Sequence, residues 1–356
     1  MKIKSLLLGS AAAFVAVSGA RAADAVIIPE PEAVEYVRVC DAAGTGYFYI
    51  PGTETCLRIH GYVRYDAGFG DLNGIDIDDD GTADTWNKRA RASFRVSTYA
   101  DTDYGALTTY VETRWQYDTN ANAAGTGYTT ANEFTVNFAY IDLAGLRIGK
   151  SESLFTTFTG YGGAVINDTT GGGYGPFDTN LVQYTFTSGA FTAAIGFEQQ
   201  AGTVLLNDYM PHVVAGAGFD AGMFNLTGVV GFDTVNDAWA GKIRADVDVT
   251  DNVSAFLMLM YGENDSGYTS WANGAVTDST FSVLGGASIG LTDAATFNTQ
   301  IQWAEANGLP NDEWAIAANV AYTVAPGFVV TPEVQWHRDT AGASQWGGLV
   351  RFQRSW

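Results

Sequence analysis

Seven arginines in the first 150 residues lie in segments where polar and apolar side chains alternate. Within one such segment, Arg89, Arg91 and Arg95 are separated by even numbers of residues, so an extended chain places them on the same face. Guanidinium groups crowded in an apolar interior would repel one another, whereas a row of them beside water creates a field across the space in front of it. The sequence therefore predicts a hydrated positive face made of Arg58, Arg64, Arg89, Arg91, Arg95, Arg114 and Arg147.

The longest stretch without alternation, residues 151–178, carries carboxylates that could face these arginines. It is rich in glycine and has a weakly apolar middle, which is unlike an exposed acidic loop. Its acidic residues are Glu152, Asp168 and Asp178. Folded inward opposite the arginines, this stretch would leave a narrow passage whose width and charge select what passes. The alternative is that the arginines pair locally, for example Arg114 with Glu112, and only hydrate the face.

A second acidic pattern, DxDxDG at residues 76–81, resembles the start of a calcium-binding loop. Asp84 falls on the ninth position, but the twelfth is Asn87, where the motif requires a bidentate Glu. No flanking helices are predicted. We therefore expect a solvated acidic loop. The alternative is a weak surface Ca²⁺ site formed by Asp76, Asp78, Asp80 and Asp84.

Residues for catalysis are few. The three histidines are His60, His212 and His337. A Ser-His-Asp triad leaves no fixed sequence signature. H-E-x-x-H does not occur, and the G-x-S-x-G match at 286–290 lies inside a strand-like segment, where no strand-to-helix turn forms a nucleophile elbow. The glycines at 171–173 are not followed by the lysine or helix start of a phosphate-binding loop. We predict neither an enzyme nor a bound cofactor, and expect each histidine to be a wall or strand-end residue.

The elements that position these residues are strands. From Leu57 onward, sixteen segments alternate in polarity; between 295 and 303, for example, Phe297, Ile301 and Trp303 oppose Gln300 and Gln302. The short connections lie at 101–103, 144–145, 188–190, 220–222, 250–252, 292–294 and 325–327. The long ones lie near 70–87, 118–131, 151–178, 199–211, 233–237, 262–280, 305–312 and 338–345. Short and long connections alternate, as in bacterial outer-membrane barrels.

The last eleven residues, WGGLVRFQRSW, also alternate and end on Trp356. A free strand at the end of a sheet pairs readily with other chains, and only helices or closed barrels cross lipid. We therefore expect an all-β fold, a 16-stranded antiparallel transmembrane β-barrel, with apolar side chains toward lipid, charged ones toward a water-filled lumen, and an inward-folded third long loop. A soluble sandwich with its apolar faces inside is the alternative.

One segment departs from this pattern. Residues 253–262 place Phe256, Met258 and Met260 on the face expected to be wet. Covering by a loop folded inward would account for these side chains.

The start of the chain has the features of a secretory signal. Residues 1–22 combine Lys2 and Lys4, an apolar stretch and a small-x-small site before Ala23. We expect residues 23–56 to form a lead-in and residues 57–356 the barrel. In an exported chain a disulfide between Cys40 and Cys56 is the default, with free thiols as the alternative.

Removing the signal leaves 15 basic against 39 acidic residues, a charge of −24, which disfavours nucleic acid as a partner. Acidic surface loops could instead hold divalent cations beside lipopolysaccharide.

Several stretches resemble the general porins of the alphaproteobacteria. These are residues 30–66, FTGYGGAVIND at 158–168, YMPHVV at 209–214, PGFVVTPEV at 326–334 and the terminal GGLVRFQRSW. The resemblance implies a homotrimer in the outer membrane of a Gram-negative bacterium, with the third long loop narrowing each channel, and it supports pairing of Cys40 with Cys56. The chain departs from the family in ending on Trp356, where Phe is common, and in the variable stretches 118–131 and 262–280.

The predicted function is passive diffusion of small hydrophilic solutes and ions. A substrate-specific porin would need an ordered aromatic track along the lumen, and the aromatic residues predicted to face inward are scattered. Outside the channels, the alternatives are an outer-membrane adhesin and a barrel hydrolase.

Overall fold

The computed structural model describes residues 37–78, 80–121, 127–271 and 279–356, and almost all regular structure in them is β-strand. The predicted signal peptide, residues 1–22, lies outside the described residues. No helix in the described part of the chain is long and apolar enough to cross a membrane. The helical segments of that part are one turn of 3-10 helix, Asp41–Ala43, and the four-residue helix α1, Leu154–Thr157.

In chain order the strands are β1 (Phe48–Tyr49), β2 (Cys56–Gly70), β3 (Gly74–Ile75), β4 (Thr85–Thr102), β5 (Gly105–Ala121), β6 (Tyr128–Leu143), β7 (Leu146–Glu152), β8 (Asp178–Ser188), β9 (Phe191–Glu198), β10 (Gln200–Ala201), β11 (Val204–Leu205), β12 (His212–Asp220), β13 (Phe224–Asp233), β14 (Ala238–Thr250), β15 (Val253–Glu263), β16 (Ser279–Thr292), β17 (Ala295–Ala304), β18 (Glu313–Ala325), β19 (Phe328–Arg338) and β20 (Ser344–Ser355). Strands β1, β3, β10 and β11 are two residues long. The other sixteen form the wall.

The wall strands close into a barrel. Each pairs antiparallel with the next along the chain, and β20 pairs with β2 from Tyr62↔Ser355 to Gly70↔Gly347. Gly61 and Trp356 extend this seam by exchanging two backbone hydrogen bonds of 3.2 and 3.1 Å. Closure leaves no free edge at the seam, which is the condition for a sheet to cross lipid. The predicted 16-stranded antiparallel barrel is confirmed.

Short and long connections separate the two ends of the barrel, which we call the turn end and the loop end. All seven predicted turns are found at the turn end. Between β6 and β7, Ala144 and Gly145 have φ of 49° and 91°, which is the pair of left-handed residues that a type I′ hairpin requires. At the loop end, the eight longer connections lie where the sequence predicted them.

Alternation along the strands gives the wall two different faces. On β17, Ile301 is 45% exposed, whereas Gln300 and Gln302 are 6% and 1% exposed. Apolar side chains exposed in the single chain are the ones that lipid covers, and the polar side chains face the lumen. The apolar-out, polar-in arrangement predicted from the two-residue period is therefore present.

The main apolar cluster of the described residues lies against the lumen face of β12–β16. Met258 and Met260 are fully buried there with Leu154, Phe155 and Tyr174 of the third long connection. Tyr268 and Trp271, from the connection after β15, and Leu284 complete the same cluster, and Phe256 packs against it. The departure noted in residues 253–262 is thereby explained, because a connection covers these apolar side chains.

The lead-in is fastened to the first wall strand. Cys40 and Cys56 form a disulfide bond with their Cα atoms 6.0 Å apart, and both residues are buried. Cys56 is the first residue of β2, so the bond ties the described part of the lead-in, which begins at Val37, to the turn end of the barrel. This pairing is the one predicted.

Candidate functional site

Arginines form a continuous patch on the lumen face of β2, β4 and β5. Arg64 and Arg91 are direct cross-strand neighbours, and Arg114 lies opposite Ser93 on the next strand pair. Like charges placed opposite each other destabilise a sheet unless water or counter-charges surround them. Their position on the wet face of the wall satisfies that requirement.

Three carboxylates neutralise part of this patch. Arg95 and Arg114 share Glu112, at 2.9 and 2.7 Å, and Glu112 is only 1% exposed. Arg89 and Arg351 share Asp66, at 3.3 and 2.8 Å. A third carboxylate, Asp118, lies 3.9 Å from Arg89. Local ion pairs, which were the alternative to a free positive face, therefore neutralise part of the charge of these arginines.

The remaining positive charge is in excess. Arg64 donates to Gln353 and Arg91 donates to Gln116, each at 2.8 Å, and neither makes an ion pair with any described residue. Six guanidinium groups on this patch thus meet three carboxylates, which leaves the wall positive. The six are Arg64, Arg89, Arg91, Arg95, Arg114 and Arg351.

Two of the predicted arginines lie nearer the turn end. Arg147 on β7 pairs bidentately with Asp142, at 2.8 and 2.9 Å, and its guanidinium lies 3.9 Å from the ring centre of Tyr140. Arg58 lies beside Gly46 of the lead-in. Arg351, in contrast, joins the patch although it was not singled out from the sequence. The two-residue period of the last segment already put Arg351 on the polar face. Its neighbour Asp66 follows only from the register of the seam between β20 and β2.

The connection from 153 to 177, which we call the third connection, is fixed at its base by buried polar groups. Glu198 on β9 accepts hydrogen bonds from Ser153 Oγ, the Leu154 N–H and Tyr268 Oη at 2.8, 2.7 and 3.0 Å. From the opposite side, the buried Lys242 of β14 donates to the carbonyl oxygen of Tyr174. Both ends of the connection are thereby held against the lumen face of the wall.

The middle of the third connection is bound to β17–β19 through its backbone. Gln300 accepts from the Gly163 N–H at 2.6 Å and donates to the Asp168 carbonyl at 2.7 Å. Glu333, only 2% exposed, accepts from the N–H groups of Ile166 and Asn167, the latter at 3.0 Å. Fixed amide and carboxylate partners of this kind position a backbone without an apolar anchor.

Between the arginine patch and the third connection lies a cavity of about 660 Å³. Its positive lining comes from Arg64, Arg95, Arg114 and Arg147. Its acidic lining comes from Glu152 and Asp168, together with Glu112. Tyr161 Oη donates to Glu152, and Tyr174 Oη donates to Asp168 at 2.7 Å. Burial raises the pKa of Asp168 above its ordinary value.

Asp178, the third acid predicted for this stretch, does not lie with the other two. It is the first residue of β8, and its side chain, 64% exposed, pairs with Lys150. The two-residue period puts it on the face opposite its buried neighbour Thr179. Asp178 therefore belongs to the start of β8 and is not among the residues that line the cavity described above.

Three aromatic side chains that the sequence left scattered meet on the lumen face of β5 and β6. We call Tyr110, Phe138 and Tyr140 the aromatic cluster. Their ring centres are 5.5 Å (Tyr110 to Tyr140), 5.7 Å (Tyr110 to Phe138) and 6.2 Å (Phe138 to Tyr140) apart. All three line the cavity. The pairing of Tyr110 with Tyr140 depends on the β5–β6 register, which a long connection leaves undetermined in the sequence.

The acidic loop before β4 brings its four carboxylates together. Ligand oxygens of Asp76, Asp78, Asp80 and Asp84 lie within 4.8 Å of one another. Oxygens of Asp76 accept from the N–H groups of Asp78 and Gly81, at 3.2 and 2.8 Å, as in a capped turn. Partial desolvation and the neighbouring carboxylates raise the pKa of Asp78. The solvated acidic loop stays the prediction, with the weak surface calcium site as its alternative. His60, His212 and His337 all belong to strands.

The sequence profile of the porin subfamily matches residues 24–349. The chain belongs to the porin family. Porin Omp2b of Brucella suis biovar 1 (strain 1330) is 46% identical to this porin over 380 residues, with all of both chains covered. Porin Omp2b of Brucella melitensis biotype 1 (strain 16M) matches with the same identity and coverage. The family resemblance seen in the sequence is thereby confirmed.

Solved structures agree with the fold. The outer membrane channel DcaP of Acinetobacter baumannii has a TM-score of 0.64 at 15% identity, over 86% of this chain and 99% of its own. The anion-selective porin from Comamonas acidovorans has a TM-score of 0.58 at 12% identity, over 85% and 100%. This porin is therefore an outer-membrane β-barrel of a Gram-negative bacterium that forms a channel for passive diffusion.

Proposed function

We propose that small hydrophilic solutes and ions cross this porin through a passage bounded by the arginine patch and the third connection. The observation that carries the proposal is the cavity of about 660 Å³, which is lined by guanidinium groups of the wall, by Glu152 at the end of β7 and by Asp168 of the third connection. Charges fixed on facing walls create a field across the passage, and a solute enters if its size and charge pattern suit that field.

The fixed position of the third connection supports this role. Its backbone is bound to Gln300 and Glu333 in the middle and to Glu198 and Lys242 at the base. A loop held at both ends and at its tip keeps one width, which a size-selective passage requires. A swinging loop would let width and conductance vary.

Recording from the purified protein in planar lipid bilayers tests the proposal. We expect stepwise increases of current that grow in proportion to salt concentration up to molar levels, because water-filled pores carry bulk-like electrolyte. A current that saturates with a particular solute would favour the substrate-specific alternative. Absence of channels in protein that has folded into a barrel would contradict the proposal and favour an adhesin.

Assembly into homotrimers is a further part of the proposal. Strand β6 pairs with β5 from Tyr128 to Leu143, whereas β7 pairs only with Ala139 to Leu143. Within the described residues, the loop-end half of β6 has no second partner strand, and such an edge is unfavourable in lipid unless protein covers it. A neighbouring copy would cover it. The same bilayer recording is informative, since each inserted trimer would close in three equal steps; single closures only would argue for monomers.

Export through the predicted signal is the remaining part of the proposal. Cleavage after Ala22 would leave residues 23–56 as the lead-in that the disulfide fastens to β2. N-terminal sequencing of protein extracted from outer membranes is expected to begin at Ala23. A sequence beginning at Met1 would mean that residues 1–22 are retained.

A further inference from the structure

The aromatic cluster exposes apolar ring surface to a passage that is otherwise charged. Phe138 is partly exposed and lines the cavity together with Tyr110 and Tyr140. Phenylalanine lining a water-filled lumen is unusual, because leaving its ring in water forgoes the gain from burial. Elsewhere on the same lumen face, Met258 and Met260 are covered completely by the third connection and its neighbours. Among the described residues, Phe138 has no such complete cover, so part of its ring is available to a passing solute.

Aromatic rings also approach the cavity from the third connection. Tyr161 and Phe177 stack with an interplanar angle of 6° and ring centres 6.3 Å apart, and both line the cavity. Phe177 also meets Tyr174 edge to face at 5.6 Å. The cavity thus has ring surfaces on the wall and on the connection. A planar solute entering it would meet rings on two sides.

The charged residues around these rings determine which charge a bound solute would carry. Arg147 already occupies the face of Tyr140 at 3.9 Å, and Lys150 lies 5.7 Å from the ring centre of Phe138. Arg64, Arg95 and Arg114 line the same space, and Arg64 has no carboxylate partner among the described residues. Glu112, Glu152 and Asp168 of the same lining offset part of this positive charge. An anionic solute finds guanidinium donors with the planar fork that carboxylates bind.

We propose that the narrowing contains a subsite for small aromatic carboxylates. The solute's ring packs against the aromatic cluster, and its carboxylate binds the neighbouring guanidinium groups. The cavity volume lies within the range of small-molecule sites, about 300–1,000 Å³. The subsite rests on the proposed diffusion function and adds a preference to it. A solute class is thereby favoured inside a channel that still passes others.

Benzoate and cyclohexanecarboxylate are a suitable pair of probes, because they share charge and approximate size but only benzoate has an aromatic ring. Each is added at increasing concentration to bilayers holding the full porin in sodium chloride, and the reduction of chloride current is measured. We expect benzoate to reduce the current at concentrations about fivefold lower than cyclohexanecarboxylate. Equal potency of the two acids would overturn the subsite.

A matched pair of variants locates the effect. Phe138→Leu keeps an apolar side chain but removes the ring, and we expect it to abolish the difference between the two acids. Phe134→Leu makes the same replacement on the same strand but on the outer face, where Phe134 is 56% exposed; it should keep the wild-type difference. A preference for benzoate that survives in Phe138→Leu would overturn the assignment to the aromatic cluster.

Failure of this inference is distinguishable from failure of the proposed function. If chloride conductance is normal and the two acids are equivalent, only the subsite is wrong. If folded porin carries no current, the diffusion function itself fails, and with it the subsite.

Discussion

Deleting residues 163–167 from the third connection is expected to raise single-channel conductance on the order of twofold, since the narrowest part of a pore limits its current. The deletion joins Gly162 to Asp168 where the chain already folds back on itself: a Cβ placed on Gly162 would be 2.9 Å from that of Asp168. The residues removed are the ones that bind Glu333. The base of the connection, with Leu154, Phe155 and Tyr174 in the apolar cluster, is left in place.

Conductance of the deletion variant is measured in symmetrical salt beside a control that lacks residues 206–210. The control removes five residues from another loop-end connection, where Tyr209 and Met210 are exposed, and it should conduct like the wild type. Resistance to heat and detergent should be similar in all three proteins if the barrel itself is intact. A deletion variant that conducts like the control would show that residues 163–167 lie outside the path of the current.

Replacing Arg64 and Arg91 by glutamine is expected to shift ion selectivity toward cations. These two arginines make no ion pair among the described residues, so their charge acts on passing ions with little cancellation. A unit charge about 7 Å from an ion is worth roughly 0.6 kcal/mol in water, and 0.1 M salt screens part of it. Because each replacement favours cations and disfavours anions, the permeability ratio should change about fivefold for the pair. The reversal potential in a salt gradient measures this ratio of cation to anion permeability.

The matched control for this experiment removes two positive charges from the outer face. Lys88 and Arg354 both have outward parity and are exposed, and replacing them by glutamine should leave the reversal potential unchanged. Replacing Arg95 instead would leave the buried Glu112 with one partner fewer, which mixes a structural effect with the electrostatic one. An unchanged reversal potential in the Arg64→Gln, Arg91→Gln double variant would exclude these arginines from the conducting path.

The strands and their two faces were predictable because each follows from a local rule. A two-residue period fixes which side chains share a face, and the turn residues fix where a hairpin reverses. The exceptional segment with Met258 and Met260 was also informative, since apolar residues on a wet face require a cover. The identity of that cover, Leu154 and Phe155 on one side and Tyr268 on another, depends on contacts between distant connections.

The sequence predicted that arginines and carboxylates line the passage, but it could not predict which of them pair. Which carboxylate meets which guanidinium depends on cross-strand register, and the connection between β5 and β6 is too long for its length to determine that register. The aromatic cluster was missed for the same reason, since Tyr110 and Tyr140 become neighbours only through it. The roles of Lys242 and Glu333 had no local signal at all. Their partners are backbone groups of the third connection, which carry no sequence pattern.

The seam between β2 and β20 has a consequence for how the protein is made. Most wall strands meet a partner that is synthesised soon after them, but the seam pairs Tyr62 with Ser355. A nascent chain that stops before its final strand would leave two rows of unpaired amides with no route to satisfy them in a bilayer. A barrel without its final strand therefore stays open at the seam, and only the full-length chain can pair these amides within lipid.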